Sequence, residues 1–250
     1  VTLEAPAAKK DENGDIVEYY PWGVIRGGGF VRDDHGNIVV GEDGIPKYTD
    51  TPVDIGHAMP DWFGGLRNAF HWKDLSLSFL IDFRKGGDIF SLTDWFGAYT
   101  GTSKETAEDI DGDHVMPAGD TYEIRRDGII FDGVKEDGTK NDIIVSPFYF
   151  YKSYYPQFHE SSVIDGSFIK LREVLIDYRI PDEIMARTGF IKSCTLSLYG
   201  RNLALLWTHK SNDIRIDPEV GYGTTNDGVG VEQNQLPPTM STGIKLSLTF

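Results

Sequence analysis

The acidic residues between positions 109 and 120 have the types and spacing that most directly suggest chemistry. Asp109, Asp111, Asp113 and Asp120 fall at positions 1, 3, 5 and 12 of a loop, where an EF-hand places oxygen ligands for calcium. His114 stands at position 6, where that motif requires glycine, and no convincing helical pattern flanks the loop. Calcium is therefore the one cofactor that the sequence suggests, and an ordinary acidic loop is the interpretation that it favours.

A group of aromatic residues could bind a ligand through its rings. Seven of the eleven residues from Phe148 to Phe158 are aromatic. Such rings form girdles at the interfaces of membrane barrels, and exposed rings can also stack on sugars or peptide side chains. The girdle is the favoured interpretation. Under the other one, the candidate substrate contacts are Trp95, Tyr99, Tyr149, Tyr151, Tyr154 and Tyr155.

Patterns typical of catalysis are lacking from the sequence. Carboxylates are numerous, but no two of them stand out as the pair that a glycosidase holds across a pocket. The six histidines have neither HxH nor HxxxH spacing, and the only cysteine, Cys194, rules out a CxxC zinc site. Gly27–Gly29 lacks the Lys-Ser/Thr pair of a phosphate loop, and strand twisting or a turn would explain it. We therefore predict no catalytic residues and no enzymatic activity.

Composition and charge exclude several classes of protein. The 250 residues carry 24 Lys and Arg against 39 Asp and Glu, a formal net charge of -15. This argues against binding to nucleic acid, which depends on a basic surface. The longest uninterrupted apolar run, Leu203–Trp207, is far shorter than the roughly 20 residues of a membrane-spanning helix. Strands of a membrane barrel need only about 9–11 residues, so that class stays open.

The elements that would position these residues are predicted to be strands. Apolar and polar residues alternate along Leu75–Arg84, which gives this strand one apolar face and one mostly polar face. Gly65–Trp72 is its expected hairpin partner, joined through Lys73 and Asp74. Ser241–Phe250 alternates in the same way.

Two further strands are predicted over Phe168–Tyr178 and Ser193–Asn202. Alternation in the first of them changes face, and a bulge near Glu173 would explain the change. Pro181–Gly189, between the two strands, has the proline, acidic residues and glycine of a short helix. The connections 88–166 and 208–240 are long and show little alternation. Short turns on one side and long acidic loops on the other are typical of an outer-membrane barrel.

The chain resembles the C-terminal portion of a SusC/RagA-type TonB-dependent outer-membrane transporter. Residues 33–46 resemble a hairpin of that family loosely, and the match from residue 56 onwards is closer. The segments that carry the resemblance occur in the family's order: Gly56–Asn68, Leu80–Phe90, Asp165–Tyr178 with Pro181, Tyr199–Leu203 and Asp217–Glu219.

The chain end resembles the signal that the barrel-assembly machinery reads, through Gly243, Leu246, Leu248 and the terminal Phe250. The resemblance implies an all-β fold, namely an antiparallel transmembrane β-barrel segment with long extracellular loops and short periplasmic turns. Residues 1–250 would be the C-terminal part of the barrel domain, without the plug and the earlier barrel strands. Residues 88–166 would form a long extracellular loop region, and residues 241–250 the terminal strand.

The two faces of the Leu75–Arg84 strand would then meet different surroundings. Its polar side chains, Ser76, Ser78, Asp82 and Arg84, would line the water-filled interior of the barrel. The opposite side chains would contact the lipid bilayer: Leu75, Leu77, Phe79, Ile81 and Phe83.

The function that the resemblance implies is TonB-dependent import of an oligosaccharide or oligopeptide across the outer membrane of a diderm bacterium. A SusD-like surface lipoprotein would be the partner, and TonB would act on an N-terminal part that these residues do not include. A soluble all-β carbohydrate-binding module is the alternative, and a secreted glycoside hydrolase fragment comes third. Phe250 on an apolar strand face favours the barrel, because a soluble domain has no reason to end on exposed apolar residues.

Overall fold

The computed structural model describes residues 8–19, 22–107, 128–219, 229–236 and 238–250. Their backbone contacts divide into two compact units. The first unit contains the described residues within 8–59, 88–164 and 229–235, and the second contains those within 60–87, 165–219 and 236–250. None of the helices in the described part of the chain has the length and apolar character needed to cross a bilayer.

Strands dominate the described residues. The helices are α1 (Leu92–Thr100), α2 (Pro147–Ser153) and α3 (Asp182–Ala186), with 3-10 turns at Lys104–Ala107, Tyr155–Gln157 and His159–Ser162. The strands are β1 (Ala8–Lys10), β2 (Ile16–Tyr19), β3 (Val24–Gly27), β4 (Val53–His57), β5 (Pro60–Trp72), β6 (Leu75–Gly86), β7 (Asp88–Ser91), β8 (Val163–Asp165), β9 (Phe168–Arg179), β10 (Ser193–Thr208), β11 (Val231–Glu232) and β12 (Ser241–Thr249).

The second unit is built on one antiparallel sheet with the strand order β12-β10-β9-β6-β5. The predicted hairpin is confirmed, since β5 and β6 pair from end to end across Lys73 and Asp74. Lys73 adopts a φ of 51°, which closes this two-residue turn. The predicted short helix is confirmed as α3, which joins β9 to β10.

A β-bulge at Arg172 reconciles the two halves of β9. Leu80 pairs with Glu173 and Ile81 with Leu171, so Arg172 is the extra residue between them. The pairing of β9 with β10 is also irregular at this point, but there the extra residue lies in β10, since Arg201 pairs with Glu173 and Ala204 with Leu171. The bulge predicted near Glu173 is therefore confirmed, and it brings the apolar residues on either side of it to one face: Ile169, Leu171, Val174 and Ile176.

One face of this sheet is apolar and exposed. Leu77 is 37% exposed, Leu246 59% and Ile244 72%, so the described residues do not bury them. A water-soluble sandwich would cover such a face with a second layer. The five side chains of β6 predicted to face lipid all lie on it. Rows of aligned residues cross the sheet, among them Leu75–Tyr178–Leu196–Leu246 and Leu77–Ile176–Leu198–Ile244.

The glycine of the final strand has a packing partner across the sheet. Gly243 pairs with Tyr199, and a Cβ added to Gly243 would lie 2.4 Å from the Tyr199 hydroxyl oxygen. The tyrosine ring therefore covers the backbone of β12 at the point where glycine leaves room for it. Phe250 stacks on Phe190 with 6.2 Å between the ring centroids.

The first unit contains regular structure that the sequence pattern does not reveal. Within residues 88–166, β7 runs directly into α1, and Ser91 caps that helix by accepting a hydrogen bond from the Asp94 N–H. β7 lies between β11 and β8, and it pairs in parallel with β11. Further along the chain, Ser146 and Pro147 begin α2.

The girdle interpretation of the aromatic run is wrong for three of its rings. Phe150, Tyr155 and Phe158 belong to a buried core cluster of the first unit. A girdle ring lies on the exposed outer surface of a barrel strand, whereas these rings extend from a helix and 3-10 turns into a protein interior. Cys194 is buried and unpaired in β10, as expected for an apolar filler.

Candidate functional site

The candidate calcium ligands Asp109, Asp111, Asp113 and Asp120 lie outside the described residues. Calcium binding there stays a prediction. In the part of the chain that is described, no three His, Cys, Asp or Glu side chains come together in a way that could hold a metal ion.

The aromatic candidates of α1 pack on each other. Trp95 stacks on Tyr99 with 5.8 Å between centroids, and its indole also lies parallel to the His159 ring at 6.4 Å. Trp95 packs against the core, whereas Tyr99 is exposed. Tyr99 is thus the ring of this pair that a ligand could reach.

The candidates of the second aromatic run divide in the same way. Tyr155 is only 5% exposed, and its hydroxyl lies 2.9 Å from that of Ser162. Tyr151 packs against the same core. Tyr149 is 52% exposed, and its hydroxyl lies 3.2 Å from the hydroxyl of Tyr154. Tyr149 and Tyr154 therefore present polar tips, while Tyr151 and Tyr155 support them from inside.

Tyr154 lines an open groove in the first unit. The other side chains that matter in this groove come from residues 41–50, a segment that the sequence did not single out for binding. The turn that supplies Asp43 is tight, with Gly44 at a φ of 75° and the Ile45 N–H donating to Asp43 Oδ1. The polar and aromatic lining consists of Asp43, Lys47, Tyr48, Asp50 and Tyr154.

Core contacts hold the aromatic walls of the groove in place. The ring of Tyr48 meets that of Phe158 edge to face, with 6.1 Å between centroids, and Phe158 is fully buried. Tyr154 packs against the same core cluster and meets the Tyr149 ring at 5.2 Å. The two walls are therefore fixed by the same interior that buries Phe150 and Tyr155.

The groove carries uncompensated negative charge. Lys47 forms an ion pair with Glu136, whereas no lysine or arginine of the described residues pairs with Asp43 or Asp50. The hydrogen bond with Tyr149 raises the pKa of Tyr154, and desolvation and the nearby charge of Asp43 act in the same direction. Tyr154 thus keeps its hydroxyl proton at neutral pH.

The three consecutive glycines let another segment of the first unit approach their backbone closely. A Cβ at Gly28 would lie 2.0 Å from the carbonyl oxygen of Gln157. The Gly28 N–H donates to His159 Nδ1 at 3.0 Å, and burial lowers the pKa of this histidine. Glu160 accepts from the Phe30 N–H at 2.9 Å. Close approach, rather than the strand twisting or turn expected from the sequence, explains the glycines.

A charged network lies on the polar face of the second unit's sheet. Arg172, the bulge residue, donates to Asp82 at 2.6 Å and to Asn202 at 2.8 Å, and it also bonds Glu219. The buried Lys170 donates to Glu219 at 2.6 Å and to both carboxylate oxygens of Asp217. Burial alone would raise the pKa of Glu219, but its hydrogen bonds from Arg172 and Lys170 outweigh burial and lower it.

Known proteins are similar to this chain in sequence and in fold. No protein-family model matches it. It is 28% identical to the TonB-dependent receptor P26 of Formosa agariphila over 231 residues, which is 90% of this chain. It is 21% identical to the TonB-dependent receptor P3 of the same organism over 253 residues, which is 95% of this chain. The chain spans about a fifth of the length of these curated relatives, 20% and 22% respectively.

Solved structures of the RagAB peptide importer share the fold. The TM-score is 0.55 for its closed-closed state and 0.56 for its open-open state, each at 19% identity. Each match covers 96% of this chain and 24% of the solved chain. The antiparallel sheet with its exposed apolar face therefore has the fold of part of the wall of an outer-membrane barrel. The resemblance found in the sequence is confirmed: the chain is similar in sequence to TonB-dependent receptors, and it has the fold of part of a SusC/RagA-type outer-membrane barrel protein.

Proposed function

We propose that the protein to which this chain belongs imports an oligosaccharide or oligopeptide nutrient across the outer membrane, driven through TonB. The observation that carries this proposal is the five-stranded sheet, whose apolar face is exposed and whose opposite face carries an ion-pair network. Such a sheet is stable where lipid covers one face and water the other. The similarity to TonB-dependent receptors favours transport as the role of that barrel.

Two protein partners form part of the proposal. A SusD-like surface lipoprotein would capture the substrate, by analogy with the RagAB peptide importer. TonB would act through a plug domain outside these residues. The chain itself would provide barrel wall and ligand contacts and carry out no covalent chemistry.

Assembly would depend on the last strand. We propose that the barrel-assembly machinery recognises Gly243, Leu246, Leu248 and Phe250, with 241–250 as the terminal strand. The side chains of Leu246, Leu248 and Phe250 are all exposed in the sheet, so a partner can reach them.

The groove of the first unit is the proposed substrate contact. It combines ring surfaces of Tyr48 and Tyr154 with hydrogen-bonding groups, as ligand sites generally do. Residues 88–166, which supply Tyr154 and Tyr99, would lie on the extracellular side. The soluble carbohydrate-binding module fits less well, because it would need to bury Ile244 and Leu246, which are exposed.

Uptake by cells tests the proposed function. The bacterium carrying the full-length gene is compared with a strain in which the gene is deleted, using labelled oligopeptides and oligosaccharides as the offered nutrients. We expect the deletion strain to lose TonB-dependent uptake of one of these two classes of nutrient. We also expect the protein in the outer-membrane fraction of the other strain, with heat-modifiable migration on gels. Unchanged uptake of both classes, or recovery of the protein as a soluble monomer, would reject the proposal.

A further inference from the structure

We propose that the groove between Tyr48 and Tyr154 binds a cationic group of an oligopeptide, either an ammonium or a guanidinium. This inference rests on the proposed import function and narrows its substrate class. It names the groove residues of the first unit as determinants of specificity.

Charge is the first argument for a cationic occupant. Asp43 and Asp50 line the groove without a basic partner among the described residues, and the one lysine there, Lys47, is already paired with Glu136. A carboxylate pair around a bound cation gains Coulomb energy, whereas an anionic ligand meets repulsion. The groove therefore disfavours sulfated or uronic acid glycans and favours a positive group.

Ring geometry is the second argument. The faces of tyrosine rings are negative, so two rings beside a groove attract an ammonium or guanidinium. Tyr48 is held by its edge contact with Phe158, and Tyr154 by its contact with Tyr149. Rings that are already positioned lose little entropy when a ligand binds.

The hydroxyl of Tyr154 adds a polar contact whose protonation state is fixed at neutral pH. Its pKa is raised by the hydrogen bond with Tyr149 and also by Asp43, so the hydroxyl stays protonated at neutral pH. It therefore adds no third negative charge and can donate to a peptide carbonyl beside the bound cation. A neutral sugar would use these donors and acceptors too, but it would leave the charge of Asp43 and Asp50 unmatched.

Binding of matched peptides to the purified full-length receptor tests the inference. The probes are trilysine and its side-chain-acetylated, N-acetylated form, which has the same length but no positive charge at any amine. The groove variant carries both Asp43→Asn and Asp50→Asn. Asp34→Asn with Glu12→Gln, both exposed in the same unit, is the control with equal loss of charge. Affinity is measured by fluorescence anisotropy at low and high salt.

We expect the groove variant to bind trilysine at least tenfold more weakly than the wild type, and the control variant to change less than twofold. The acetylated peptide should bind weakly to all three. Equal binding of the two peptides would overturn the inference, and so would equal losses in both variants, because the effect would then come from net charge alone.

A ring variant separates specific binding from a folding defect. Tyr48→Ala should weaken trilysine binding severalfold, while Tyr48→Phe keeps the ring and should bind as the wild type does. All variants must show wild-type outer-membrane abundance and heat-modifiable migration. If Tyr48→Ala folds and binds trilysine normally, the aromatic wall plays no part and the inference is wrong.

Uptake distinguishes this inference from the proposed function. If cells import peptides through TonB, but the import ignores peptide charge and the Asp43→Asn, Asp50→Asn change, the groove assignment fails while the import function stands. If no peptide or glycan is imported, the proposed function fails whatever the purified receptor binds. The inference of a cationic occupant would also be overturned if the groove variant lost binding of a neutral oligosaccharide but kept binding of trilysine.

Discussion

Lys170 and Asp217 are joined by two hydrogen bonds, of 2.8 and 2.6 Å, from one ammonium group to both oxygens of one carboxylate. Lys170 is only 2% exposed, so this charge has left water and depends on its protein partners. The pair fixes the segment after β10 to the polar face of β9. It is the most buried part of the ion-pair network on that face.

Replacing Lys170 by methionine should therefore destabilise the protein. Asp217 would lose its ammonium partner while it stays largely buried, and removal of one partner from a buried ion pair costs about 3–5 kcal/mol. Urea unfolding of the full-length protein in detergent would measure the change. Lys245→Met, at an exposed site of β12, is the matched control, and equal stability of the two variants would contradict the prediction.

The network should also weaken in acid through Glu219. Its folded-state pKa lies below the ordinary value of 4.5, so the ionised carboxylate stabilises the fold above that pH. This stabilisation is lost as the pH falls from about 4.5 through the folded-state pKa, because the unfolded chain takes up the proton first. Glu219→Gln should flatten the dependence of the unfolding free energy on pH between pH 5 and pH 3. A variant with the wild-type slope would exclude Glu219 as the cause.

A second pH effect should arise from His159 in the first unit. Burial lowers its pKa from the ordinary value of 6.5, and Nδ1 accepts the Gly28 N–H in the neutral form. Stability should be constant above about pH 6.5 and fall between that pH and the folded-state pKa, where only the unfolded chain binds the proton. His159→Gln should remove this fall, and thermal melting from pH 8 to pH 5 measures it. His35→Gln, at an exposed histidine, should leave the curve unchanged.

Gly243 and Tyr199 should behave as a coupled pair. Gly243→Ala places a methyl group inside the space of the Tyr199 ring and should cost about 1–3 kcal/mol, as overpacking does elsewhere. Tyr199→Ala in the same chain removes the obstacle, so the double variant should recover much of the loss. A double-mutant cycle on urea unfolding measures this coupling. Additive costs would show that the ring does not occupy the space above Gly243.

Deletion of Phe250 should lower the amount of protein in the outer membrane severalfold, since it removes the terminal aromatic residue of the proposed assembly signal. Phe250→Tyr keeps the ring and should assemble normally. Quantitative blotting of outer-membrane fractions gives the result. Phe190→Ala removes the stacking partner of Phe250 but leaves the signal intact. If it lowers abundance as much as the deletion does, packing rather than recognition explains the role of Phe250.

Features that depend on neighbouring residues could be predicted from the sequence. The hairpin of β5 and β6 follows from alternation on both sides of a two-residue turn, and the bulge in β9 follows from a change of face within one strand. Helix α3 has its proline, its acidic first turn and its glycine within nine residues.

The groove and the network could not be predicted, because distant parts of the chain form them. Tyr48 and Tyr154 lie more than a hundred residues apart in sequence, and nothing local links them. Asp82, Lys170 and Glu219 also come from separate parts of the chain: the pairing of β6 with β9 places Asp82 beside Lys170, and the segment after β10 brings Glu219 to Lys170. The helical start at Ser146 and Pro147 was a local signal, but the density of aromatic residues after it favoured a membrane interface instead.

Because Arg172 is an extra residue in β9, the odd-numbered side chains before it and the even-numbered side chains after it lie on the same face of the sheet. Lys170, on the water side, shares its numerical parity with Val174 and Ile176, which both face acyl chains. Deleting Arg172 would remove the bulge, and regular alternation would then keep Ile169 and Leu171 on the same face as Val174 and Ile176. A mutational scan of this strand must therefore restart its inside–outside count at Arg172.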